Sequence, residues 1–254
     1  MSHFTVAIIH KENQDIESLL APYNEDLEVA PYIYRTREKM IADGHRMKAY
    51  IKEKGLDPNT EVWVKKYLEA ETDEDFWKAQ KDIYCYTYDK DGNELTTYNP
   101  DSKWDWWVVG GRWSGEITTK DGKKVNSAKI ADIDFSINEE EYKKNKRFWE
   151  SIVDGGEPDT EEEKEQKEWT WYKKEYYTNR YEDADDYANR ASQFATYAVV
   201  TPDGVWHEKG QMGWWGMSTD TAEDAKGWGA NYYNEFIAPY DPDNTYVTVV
   251  HCHI

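Results

Sequence analysis

The run Ser102-Lys103-Trp104-Asp105-Trp106-Trp107-Val108-Val109-Gly110-Gly111-Arg112-Trp113-Ser114-Gly115 holds four indoles, two fixed cations and a glycine pair. Indole and guanidinium planes stack on flat rings, adjacent glycines admit close backbone approach, and Arg and Lys donate to phosphate or carboxylate. A second run, Trp206-His207-Glu208-Lys209-Gly210-Gln211-Met212-Gly213-Trp214-Trp215-Gly216, repeats the mixture. The two read as walls of one pocket. Its expected lining is Lys103, Trp104, Trp106, Trp107, Gly110, Gly111, Arg112, Trp113, Trp206, His207, Trp214 and Trp215. The competing reading packs the indoles into a wide core and pairs Arg112 with one of many carboxylates.

Histidine supplies the second chemistry, because it titrates near neutrality and can act as acid, base or donor. The candidates are His3, His207, His251 and His253. His251 and His253 stand two apart and would share one face of a strand. With His3 or His10 and the carboxylates of Asp132 and Asp134 they could begin a metal site. No His-Glu-x-x-His or paired-Cys spacing accompanies them, so no metal is expected. Metal-free, two histidines could exchange protons on a phosphodiester if they line the same pocket as Arg112. Met212 and Met217 are expected to fill gaps. Walker, dinucleotide, Gly-x-Ser-x-Gly and kinase patterns are missing, and no cofactor is expected.

The elements that must position these residues give an α+β class, mainly an antiparallel sheet containing both terminal strands with helices packed on it. Residues 3–10 and 245–254 carry the β-branched content of buried strands, expected in one sheet. Asp-Gly turns at Asp91-Gly92, Asp121-Gly122 and Asp203-Gly204 predict hairpins over 84–98, 115–125 and 194–207, supplying most of that sheet. Caps and breakers predict helices over 35–54, 59–70, 73–81, 138–152 and 221–237. A single domain over 1–254 is expected, with 154–190 as an inserted acidic helical excursion or lid. Trp169, Trp171, Tyr172, Tyr176 and Tyr177 could give the excursion an apolar stripe.

The chain has 254 residues, 13 Trp, 20 Tyr and a net charge of -20. That field repels polyanions, so extended nucleic acid is disfavoured as a partner, whereas a small anion could still enter a locally positive pocket. Acidic proteins can also imitate phosphates and occupy a nucleic-acid enzyme. No apolar run approaches the roughly 18 residues of a membrane span, so no membrane partner is expected. Two distant thiols, Cys85 and Cys252, suit a reducing cytosol.

The segment Ser2 to Val6, Leu20 to Val29, the block Lys103 to Gly115, Ala131-Asp132-Ile133-Asp134-Phe135, the block Phe194 to Gly216 and the closing Thr248-Val249-Val250-His251-Cys252-His253-Ile254 resemble a family of uncharacterised tailed-phage proteins. The similarity spans nearly the whole chain except the acidic 158–187 stretch, and His251 stands where the family pattern would have Asp. The resemblance implies a cytoplasmic protein of the infected bacterium that counters host defence. With the aromatic and cationic pocket, the leading expectation is sequestration of a nucleotide-derived immune signal, a cyclic ADP-ribose isomer or a cyclic dinucleotide. The alternatives are a phosphodiesterase using the histidines on such a signal and an acidic inhibitor of a host defence protein. A homo-oligomer stays open, since such a pocket could lie between subunits.

Overall fold

The computed structural model describes residues 2–254 except Thr60, Tyr84, Cys85, Trp171 and 214–216, and only the backbone of Asp82 and Ile83. In chain order the elements are β1 (His3–Lys11), α1 (Ile16–Leu20), β2 (Tyr32–Arg35), α2 (Arg37–Lys54), α3 (Val62–Glu69), α4 (Asp73–Ile83), β3 (Thr87–Tyr88) and β4 (Glu94–Thr96). There follow β5 (Trp106–Val109), β6 (Ile117–Thr118), β7 (Lys124–Val125), β8 (Ser127–Lys129), α5 (Glu139–Phe148), α6 (Glu161–Trp169), α7 (Lys174–Thr178) and α8 (Ala184–Ala191). The last are β9 (Ala198–Val200), β10 (Trp206–Glu208), α9 (Ala222–Phe236) and β11 (Thr245–His253). The class is α+β, and both terminal strands lie in one sheet.

The chain forms two compact units, residues 1–25 with 101–254, and residues 26–100. The division therefore falls at 26–100, and the 154–190 stretch belongs to the larger unit. In the smaller unit α2, α3 and α4 enclose Ile51, Val64, Tyr67 and Phe76. Beside them β2, β4 and β3 form a sheet of their own, held by Arg35, whose Nε donates to the buried Glu94 carboxylate at 2.6 Å.

The larger unit is organised by β1 and β11, antiparallel neighbours in register from His3 opposite His253 to Lys11 opposite Thr245. Strand order is β10-β9-β1-β11-β5, with β8 also on β11. Of the three expected hairpins only β9–β10 joins this sheet; β3–β4 completes the small sheet of the other unit and β6–β7 stands as a two-stranded ribbon. Central strands buried on both faces read as nearly continuous apolar runs, as Val6 to Ile9 and Val247 to Val250 do. One face carries Ala7, Ile9, Val199, Val247 and Val249 under Tyr232, Phe236 and Ile237, which α9 and its C-cap supply. The other carries Phe4, Val6, Ile8, Val250 and Cys252 against Leu20 and Trp104.

The helix α9 starts at a reciprocal Thr221–Asp224 capping box, which offsets the helix-weakening Gly227 and Gly229. The acidic stretch packs Tyr177 of α7 and Tyr187 of α8 against Phe148, Trp149 and Val153, at and just after the end of α5. Trp169 and Tyr172 are exposed, so the expected single-helix stripe is split, and Trp171 lies outside the described residues.

Ile8 is fully buried at the centre of the sheet. Ile8→Ala is expected to cost about 2–5 kcal/mol in urea-induced unfolding followed by far-UV circular dichroism.

Candidate functional site

The face that carries Ala7 and Ile9 on β1 and Val247 and Val249 on β11 continues, beyond the cover of α9, as Thr5 and His3 on β1 and His251 and His253 on β11. Residues paired across antiparallel strands share a face, so the register itself gathers three imidazoles. Trp106 of β5 pairs with His253 and joins them. Its ring stacks on His253 at a centroid distance of 5.1 Å and an interplanar angle of 12°. Trp113 meets His251 edge-on at 5.0 Å.

Hydrogen bonds give the three rings different states. His253 Nδ1 lies 2.7 and 2.8 Å from the two oxygens of Asp105. An ionised carboxylate only accepts, so Nδ1 carries a hydrogen, and in the singly protonated tautomer this sets, Nε2 is the accepting atom. His251 Nδ1 accepts the backbone N–H of Arg112 at 3.4 Å, a long contact. Its proton therefore sits on Nε2, which donates to His3 Nδ1 at 2.8 Å, and neutral His3 retains its hydrogen on Nε2. Among the described residues neither His3 Nε2 nor His253 Nε2 has a hydrogen-bond partner. One free donor and one free acceptor thus stand on rings whose centroids are 4.7 Å apart.

Burial, together with the nearby Arg112 charge and His253, holds His3 below the ordinary 6.5. Burial, then His3, Arg112 and His253, does the same for His251. A proton on His3 Nδ1 would also set N–H against the His251 Nε2–H across their shared hydrogen bond.

Arg112 is the distinctive cation of this acidic chain. Arg35, Arg37, Arg46, Arg147, Arg180 and Arg190 each pair with a carboxylate, whereas Arg112, among the described residues, pairs with none and is exposed. It sits on a tight turn following β5, where Gly110 and Gly111 both have positive φ. A Cβ on Gly111 would come within 2.5 Å of His251 Nδ1, and one on Gly110 within 2.6 Å of Asn126 Nδ2. The glycine pair admits these two side chains to the backbone.

The remaining expected lining residues are elsewhere. Trp107 faces the opposite side of β5 and, like Trp206, packs against the Phe4–Cys252 core, where Trp104 is buried with its indole N–H on Leu20 O at 3.2 Å. Lys103 is spent on Glu208 at 2.7 Å, and Glu208 also accepts the Trp206 indole N–H at 2.9 Å. His207 sits on β10, at the far edge of the sheet from β5, against Phe236. Trp214 and Trp215 lie outside the described residues. The structure thus joins His3, His251, His253, Trp106, Gly111, Arg112 and Trp113, and separates Lys103, Trp104, Trp107, Trp206 and His207 from them.

Among the described residues no group of three or more His, Cys, Asp or Glu side chains has the arrangement to hold a metal ion. His10 bonds Thr248 Oγ1 at 2.9 Å on the other face of the sheet. Two residues absent from the sequence reading complete the site: Asp105, the one carboxylate inside the first indole run, and Asn126, which no motif marks.

Comparison with protein-family models, curated proteins and solved structures yields no match to the chain.

The depressed histidine pair predicts a pH effect on stability. The unfolded chain takes up these protons near 6.5 and the folded chain only at lower pH, so their stabilisation is complete above 6.5 and lost as pH falls below it. Thermal melts between pH 6.5 and 5 are expected to show a steeper fall for wild type than for a His3→Gln/His251→Gln double variant. Gly111→Ala, strained at φ 57 and driven into His251, is expected to cost of order 1–3 kcal/mol in chemical denaturation.

Proposed function

We propose that the chain is a phosphoesterase that hydrolyses a small nucleotide-derived phosphodiester, with His253 as the proton-transfer residue. The observation that carries this reading is that, among the described residues, two Nε2 atoms have no hydrogen-bond partner, one an acceptor backed by Asp105 and one a donor backed by His251, beside Arg112, which pairs with no carboxylate among them.

The chemistry follows from these states. His253 Nε2 takes a proton from water as the water oxygen forms a bond to phosphorus. Asp105 stays ionised and stabilises the imidazolium. The bond from phosphorus to the leaving oxygen breaks, and His253 returns the proton to that oxygen, so the ring ends as it began. Neutral His3 does not give up its Nε2 hydrogen, which would leave an imidazolate; with Arg112 it donates to the non-bridging oxygens where charge accumulates. Trp106, 41% exposed, offers a stacking surface for a base.

The resemblance to tailed-phage proteins supplies the setting for this reading: a counter-defence enzyme in the cytoplasm of an infected bacterium, acting on an immune signal. Support for cleavage over sequestration is local. Among the described residues, the indoles that would enclose a ligand are divided between two faces of the sheet, while the acid–base groups are gathered on one.

The test incubates the protein with 2′,3′- and 3′,5′-cyclic nucleotides, cyclic dinucleotides and cyclic ADP-ribose isomers, with products resolved by chromatography. Conversion of at least one is expected. His253→Gln and Asp105→Asn should lower kcat by about a hundredfold or more, and His207→Gln should leave it unchanged. Recovery of every compound unaltered, or wild-type turnover by His253→Gln, would overturn the reading; tight binding without conversion would restore sequestration in its place.

A further inference from the structure

Resting on that reading, we infer that Asn126 is a positioning residue that sets the guanidinium of Arg112 at the site. Asn126 lies between β7 and β8, outside both indole runs. Its Oδ1 accepts the Gly115 N–H at 2.6 Å and the Ser114 hydroxyl at 3.2 Å. Its backbone carbonyl accepts the Val249 N–H of β11 at 2.9 Å. The same residue therefore grips the far end of the Arg112 turn and the strand that carries His251.

The near end of the turn is tied to the same strand, since Gly110 N–H donates to Val249 O at 2.9 Å. Gly110 also lies so close to the Asn126 amide that a Cβ would overlap it. Between these ties the chain closes through Trp113 N–H on Gly110 O at 3.1 Å and Ser114 N–H on Gly111 O at 3.2 Å. That leaves Arg112 at the apex with its own N–H on His251. A long, exposed guanidinium gains precision only from the backbone beneath it. One side-chain amide supplies the hydrogen bonds that stop the far end of this turn from opening. Asn126 contacts no reacting atom, and its effect on substrate must pass through Arg112.

The test is a double-mutant cycle on Asn126→Ala and Arg112→Ala, read as KM and kcat for the phosphodiester that wild type converts. Each single variant is expected to lower kcat/KM roughly tenfold, the scale of one hydrogen bond to a charged group. The double variant should be no worse than Arg112→Ala, because a residue acting through another adds nothing once that one is gone. Asn126→Asp keeps the acceptor oxygen and should restore most of the loss, with the pH profile of kcat unchanged throughout. Additive effects in the cycle, or a wild-type kcat/KM in Asn126→Ala, would overturn the inference. Amide hydrogen exchange at 111–115 gives a second measurement. Faster exchange in Asn126→Ala, with β1 and β11 still protected, is expected, and unchanged exchange overturns the positioning role. If wild type converts no phosphodiester, the function fails on its own test while exchange still decides the role of Asn126.

Discussion

The antiparallel pairing of β1 with β11 is the constraint on which the larger unit depends. It buries Val6 to Ile9 against Val247 to Val250 on two faces, and by the same register sets His3 opposite His253 and Thr5 opposite His251. Side chains alternate with a period of two, so a slip of one residue would send the histidines into the Phe4–Cys252 core and the core residues outward. Stability and site geometry are therefore specified by one set of hydrogen bonds. The transition from Val247 and Val249 to His251 and His253 marks where α9 ceases to cover the sheet.

The second layer of control is electrostatic. A chain of net charge -20 gives nearly every arginine a carboxylate partner, whereas Arg112, among the described residues, has none and lies beside the imidazoles. Burial first, and this charge after it, holds His3 and His251 below the ordinary histidine value. Asp105 directs its charge at His253 instead.

Much of the framework was legible in the residues. β-branched terminal runs marked β1 and β11, Asp-Gly turns marked the hairpins, and the spacing of His251 and His253 announced a shared strand face. Trp106 and Trp107 carried a further signal: neighbours in a strand point to opposite sides and cannot line one wall. The partnership of Lys103 with Glu208, and the use of Gly110 and Gly111 to admit Asn126 and His251, depend on segments that meet only in the folded chain. Local pattern does not encode them. The sheet membership of the short hairpins was hidden for the same reason, because a turn fixes its own two strands and leaves their next neighbour open.

The His3–His251 contact spans 248 positions of sequence. Loop closure over such a distance is an entropic barrier that local structure cannot lower in advance, so folding that ends in this contact is expected to be slow. The imidazole cluster exists only once β1 and β11 have paired. Until β11 docks, the chain exposes an unpaired β1 edge, and a nascent or partly folded molecule holds none of the proposed chemistry.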